Sequence, residues 1–138
     1  MDKETLAVKI KAIVTQVRSG DVDGAYKGYA ALFSDPEFGK SEPANQREAL
    51  KLMVMAKGMP STPTEAMLDA HRAAVPPLTE LTSAHREPGD HEMLGICHVM
   101  LGNTEAAGSI FRTGLSIEQS KNPQSDLCRS LTKRISLL

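Results

Sequence analysis

The chain contains no tryptophan, only two cysteines, and just two tyrosines and three phenylalanines among its 138 residues. A core must therefore be assembled largely from Ala, Leu, Met and Val, side chains that suit close helix–helix contacts better than the face of a sheet. Two cysteines are too few to read as the framework of a small disulfide-stapled secreted domain. Cys97 and Cys128 both fall in apolar stripes and are expected as reduced core thiols of a cytoplasmic protein, a disulfide between them being the lesser alternative. Neither sign of charge predominates: sixteen basic residues stand against seventeen acidic ones, for a net charge of −1. The basic groups Lys3, Lys9, Lys11, Arg18 and Arg129, Lys133, Arg134 are short, interrupted and without stacking aromatics. That excludes the continuous basic face with which a nucleic-acid binder replaces counterions. No apolar run approaches the roughly 20 residues of a membrane span. The opening Met1-Asp2-Lys3-Glu4-Thr5 carries acids and leads into an amphipathic stretch, unlike a signal peptide. Neither nucleic acid nor membrane is expected as a partner.

What the sequence has in quantity is helical periodicity. A first helix over Lys3–Arg18 places Leu6, Ile10, Ile13, Val14 and Val17 on one face, and Ser19-Gly20 ends it. Asp21 or Asp23 caps a second helix through Phe33, with Ala25, Tyr29, Leu32 and Phe33 inward. Residues 35–43 form a turn-rich connector. A third helix is predicted over Pro43–Lys57, stopped by Gly58-Met59-Pro60, and Ser61–Thr64 reads as an inter-helix loop or, less plainly, a modification site. The fourth helix runs from Thr64-Glu65 to Val75, where Pro76-Pro77 is expected to break it, with another turn or two of helix up to Glu87. Pro88-Gly89-Asp90 punctuates the chain before helices over 90–101 and 104–120. A last helix over 124–137 aligns Leu127, Cys128, Leu131, Ile135 and Leu138. The expected fold is all-α, a single domain over 1–138 with seven or eight helices and no strand.

Residues 87–117 carry the most specific pattern. An apolar helix breaks at Gly102-Asn103 and restarts with Ala107, Phe111 and Gly114-Leu115, so small residues flank an aromatic at a helix–helix contact. Together with Leu94-Gly95 and Leu101-Gly102, this resembles the tetratricopeptide repeat, with His91 at the family's tryptophan position, His98 at its first-helix tyrosine and the terminal proline delayed to Pro123. Gly20, Ala25, Tyr29, Leu32 and Pro36 echo it. Leu50, Val54, Gly58, Ala66, Ala70, Ala73 and Pro77 look like a degraded middle copy. The resemblance implies antiparallel pairs over about 3–34, 43–77 and 90–120, stacked as a short superhelix and capped by 124–138. It further implies a groove lined by the first helix of each pair: Ile10, Val14, Val17 and Arg18; Glu48, Leu52, Met55 and Ala56; Glu92, Ile96, Val99 and Met100. Family members that clamp a terminal carboxylate use cations or Asn at some of these positions, where Ile10, Val14, Leu52, Glu92 and Ile96 stand here. An apolar groove made adaptable by Met55 and Met100 is the expectation, taking a partner peptide or helix.

Catalytic, metal and cofactor motifs are sparse. His91 and His98 lie two turns apart on one helix face, but there is no His-Glu-x-x-His and no Cys-x-x-Cys. The glycines at 89, 95, 102, 108 and 114 are spaced as helix contacts and turns, not as a phosphate loop. His71 and His85 are expected at a helix surface, and Cys97 as a buried thiol rather than a nucleophile. No catalytic residue, metal or cofactor is assigned. The expected function is that of a non-enzymatic protein-interaction module. The alternatives are a self-associating chaperone-like subunit, such as a homodimer, or a small all-α metal or ligand binder using His91, Glu92 and His98.

Overall fold

A computed structural model describes residues 1–58 and 62–138. Within them the chain is all-helical: α1 (Lys3–Arg18), α2 (Val22–Ser34), a 3-10 turn (Phe38–Lys40), α3 (Pro43–Val54), α4 (Glu65–Ala84), α5 (Pro88–Met100), α6 (Thr104–Lys121) and α7 (Asp126–Ser136). The expected end at Met59-Pro60 and Ser61 of the loop lie outside the described residues. The chain forms two compact units, Met1–Pro77 and Leu78–Leu138.

In the first unit, Asp2 caps α1 by accepting the Thr5 amide, and Asp21 caps α2 by accepting the Gly24 amide. Gly20, at φ +88°, makes the left-handed turn between them, which a side chain would strain. α1 packs on α2, where Gly28 has no room for a Cβ against the Ile13 side chain. The scarce aromatics are concentrated here. Tyr29 stacks on Phe33 at 5.7 Å between ring centroids, Phe33 meets the edge of Phe38 at 5.2 Å, and Tyr26 lies 6.5 Å from Tyr29 and 6.4 Å from the ring of His71. Four of the five aromatics in the chain thus form one ladder, so this core rests less on small aliphatics alone than composition implied.

α3 ends at Val54, three residues before the expected Lys57. Met55–Gly58 instead turn away, with Gly58 at φ +76°, and Lys57 is exposed. The Thr64 hydroxyl accepts the Met67 amide at 3.3 Å and donates to Asp23 at 3.0 Å, tying the start of α4 to the start of α2.

The expected break at Pro76-Pro77 does not occur: α4 continues to Ala84. Each proline deletes a donor and crowds the carbonyl four residues back, a cost of about 3 kcal/mol in a helix interior. Both prolines nevertheless stand inside the helix, and the stripe Met67, Ala70, His71, Ala74, Leu78, Leu81 keeps its three-and-four spacing across them, no member more than 3% exposed. Burial of large side chains at about 1.5–3 kcal/mol each on both sides of the pair outweighs the local defect. The same stripe corrects the expected position of His71, which is not at a helix surface but fully buried; His85 is exposed.

In the second unit, Pro88 occupies the first turn of α5, so the helix starts two residues before the expected position 90. α5 and α6 form a tightly packed hairpin closed by Gly102 at φ +81°. A Cβ at Gly95 would overlap the Phe111 ring, and one at Gly114 would stand 2.7 Å from the His91 Cβ. The glycines therefore set how closely the two helices approach. α7 packs on α6 and closes a core of Ala107, Phe111 and Leu131, with Ile96, Leu115, Leu127 and Ile135 around it.

Candidate functional site

Five of the expected groove residues, Ala56 among them, meet at one place. Val14, Val17 and Arg18 from the end of α1, and Leu52 from α3, line a cavity of about 390 Å³ in the first unit. Its remaining walls are Val22, Ala25, Tyr26 and Tyr29 of α2, with Met53, Ala56, Lys57 and Gly58. Along α3 a second, shallower cavity of about 500 Å³ is lined by Glu48, Lys51, Leu52, Met55 and Ala56, so Leu52 and Ala56 belong to both. Ile10 is half-buried on α1 and lines neither.

In the second unit, Ile96 and Val99 line a smaller cavity of about 140 Å³ with Phe111, Arg134, Leu137 and Leu138. Met100 is half-buried and outside it. Glu92 is placed differently from the groove expected of it. It is buried beneath α7, where one carboxylate oxygen accepts the Ser130 hydroxyl at 2.5 Å and the Arg134 Nε at 2.9 Å. The helical register that puts Glu92 on the face of Ile96 and Val99 also puts it under the last helix. This contact latches α7 to α5. Because Gln would lose the charge that pairs with Arg134 and bring a further N–H donor into the same buried place, Glu92→Gln should lower stability by about 1–3 kcal/mol. It should also speed amide exchange along α7. An unchanged urea midpoint and exchange pattern would show that the latch carries no stability.

The histidines and cysteines are individually engaged. His91 Nδ1 sits 3.3 Å from the Glu87 carbonyl, and His98 Nδ1 lies 3.2 Å from the side-chain nitrogen (Nδ2) of Asn103. Together with the Ser130–Glu92–Arg134 contacts, this directs the three residues of the alternative metal reading to three different neighbours. Among the described residues no three His, Cys, Asp or Glu side chains gather as a metal-binding group. Burial pushes the Cys97 thiol up to about 12, leaving it protonated and unreactive at neutral pH. Both cysteines are free thiols.

The exposed apolar residues decide where the surface is unusual. Among the described residues the large hydrophobics left exposed are Val8, Val17, Val22, Leu52, Val99, Leu137 and Leu138. Three of them (Val17, Val22, Leu52) line the 390 Å³ cavity and three (Val99, Leu137, Leu138) the 140 Å³ cavity; only Val8 stands apart. No family model matches this chain, and no curated protein or solved structure does either. The site therefore has to be read from its own geometry.

Sequence reasoning missed the wall contributed by α2, because it assigned the groove to the first helix of each pair. Val22, Tyr26 and Tyr29 nevertheless stand at i, i+4 and i+7, the spacing of one helix face. Arg134, Leu137 and Leu138 were likewise absorbed into a capping helix, although they continue one side of its stripe.

Proposed function

We propose that the protein is a non-enzymatic interaction module, of tetratricopeptide-like design, which seats a partner peptide or helix on its mainly apolar surfaces. The observation that carries this reading is the gathering of six of the seven exposed large hydrophobics at two cavities. Apolar residues scattered singly need no explanation, whereas a concave apolar patch edged by cations has the make-up of a docking site. The local engagement of His91, Glu92 and His98, and the protonated state of Cys97, support a binding rather than a chemical role. Free cysteines favour a cytoplasmic setting, and no described helix is long and apolar enough to cross a membrane.

The test is affinity capture from native lysate with the wild-type chain, a Val17→Glu, Leu52→Glu variant and a Val99→Glu, Leu137→Glu variant. Circular dichroism would confirm that each variant is folded. Recovery of captured partners should fall about ten-fold or more for at least one variant, corresponding to about 1.4 kcal/mol or more. Identical capture by all three chains would sink the proposal. A mass in light scattering that doubles with concentration, and reverts in the Val99→Glu, Leu137→Glu variant, would transfer the second-unit cavity to self-association.

A further inference from the structure

The two cavities of the first unit share Leu52 and Ala56, and so form one trough running from Glu48 on α3 to Ala56 just beyond its end. The helical part alone, from Glu48 to Val54, rises about 9 Å, so the trough, which continues past it to Ala56, matches a short stretch of another chain better than a compact small molecule. Its deeper end is walled by Tyr26 and Tyr29, with Val17, Val22 and Leu52 left 48%, 40% and 47% exposed at the rim.

The charge at that end has one sign. Among the described residues Arg18 and Lys57 line the cavity, and no carboxylate does. Neither cation forms an ion pair among the described residues. The acids nearest Arg18 in sequence are engaged elsewhere: Asp21 accepts the Gly24 amide and Asp23 the Thr64 hydroxyl. The shallow end carries one group of each sign, Glu48 and Lys51. An apolar floor with an unmatched pair of cations at one end is complementary to an apolar segment bearing carboxylates at the corresponding end.

We infer that this trough seats a short amphipathic segment of a partner protein, its large apolar side chains in the Tyr26–Tyr29 cavity and its Asp or Glu side chains beside Arg18 and Lys57. The inference rests on the interaction-module reading and adds the chemistry of the occupant. The recognised carboxylates belong to side chains along the segment, and the apolar residues supply the contact area.

The molecule contains its own reporter. Tyr26 and Tyr29 are the chain's two tyrosines and there is no tryptophan, so intrinsic emission arises entirely from the cavity wall. The full chain is used to select from a random dodecapeptide display library, and enriched peptides free of Tyr and Trp are synthesised and titrated by tyrosine fluorescence. The expected winners place two or more Asp or Glu beside Leu, Ile, Phe or Met and shift the emission. They should bind about ten-fold or more weakly to an Arg18→Glu, Lys57→Glu variant and weaken as salt is raised. That variant should instead favour the same peptides with Lys in place of the acids.

Winners without acidic preference, or winners indifferent to the charge reversal, overturn the inference. If such winners still lose binding to Val17→Glu, Leu52→Glu, the module reading survives and only the occupant's chemistry fails. If the library enriches nothing while decanoate shifts the emission, the cavity belongs to a small amphiphile and the inference is likewise wrong. Failure of both selection and capture removes the module reading with it.

Discussion

Phe111→Ala should lower the free energy of unfolding by about 3–5 kcal/mol, the usual cost of emptying an aromatic site in a core. The ring is 1% exposed and forms the second unit's core with Ala107 and Leu131, edged by Ile96, Leu115, Leu127 and Ile135. These neighbours come from α5, α6 and α7, so collapse around the vacancy would have to move three helices at once. The opposite error at the same contact is Gly95→Ala, whose methyl would occupy the space of the Phe111 ring. Because the ring is enclosed, it cannot swing into solvent, and overpacking should cost about 1–3 kcal/mol. The decisive measurement is the double mutant. In Gly95→Ala, Phe111→Ala the new methyl enters the space the ring has left. The combined loss should therefore be smaller than the sum by about 1–2 kcal/mol, as expected for residues in direct contact. Urea unfolding of the four proteins at matched slopes measures this coupling. Losses that simply add would show that the helices separate at this point and that glycine does not set their approach.

That contact also marks how far the sequence reaches. The Gly95, Ala107, Phe111 and Gly114 pattern is local, because two helices joined by a three-residue turn bring their small residues together whatever the remaining chain does. Caps and left-handed glycines at 20 and 102 are local as well, and α1 ends where its residues predict. Non-local burial was harder to read. Pro76-Pro77 is a strong breaker by propensity, yet the apolar stripe continues on the same face beyond it and the helix follows the stripe. His71 looks like a surface residue beside Arg72 and Asp69, and becomes interior only because Met67, Ala70 and Ala74 share its face. Glu92 occupies a position from which register alone allows both a groove and an interface with α7. The partners Ser130 and Arg134, about forty residues away, decide between them. For the candidate site, Val14, Val17, Arg18 and Leu52 were legible from one assumed geometry, and the Tyr26–Tyr29 wall was hidden by it.

His71 should make stability fall as the solution is acidified through the upper part of the histidine range. Its Nδ1 lies 2.8 Å from the Met67 carbonyl oxygen and must therefore carry the proton, donating to it. Its Nε2 is buried with no partner among the described residues. Protonating that nitrogen would place a charge in an apolar wall beside the Tyr26 ring. Burial pushes its pKa below the ordinary value, opposed more weakly by the bond to Met67. In the unfolded chain the same group titrates near 6.5. Between the lowered folded value and about 6.5 the unfolded state binds more protons, so stability rises with pH in that window. The contribution is fully present above about 6.5 and is lost as pH falls toward the folded value, with a slope of up to about 1.4 kcal/mol per pH unit. Burial also lowers His98, which adds a slope of the same sign. On the alkaline side Tyr26 and Tyr29 are raised by burial, so their contribution is lost only above about pH 10. The expected profile is a plateau between the two limits. Replacing His71 with Phe keeps a ring in the site and removes the orphan nitrogen. It should flatten the acid limb between pH 5 and 7, and leave stability at pH 7 unchanged or raised by about 1–2 kcal/mol. Urea midpoints at half-unit pH steps for wild type, His71→Phe and His98→Gln separate the two histidines. Parallel curves for wild type and His71→Phe would show that the ring is not held neutral by its burial, and the proton resonances of His71 would then titrate near 6.5.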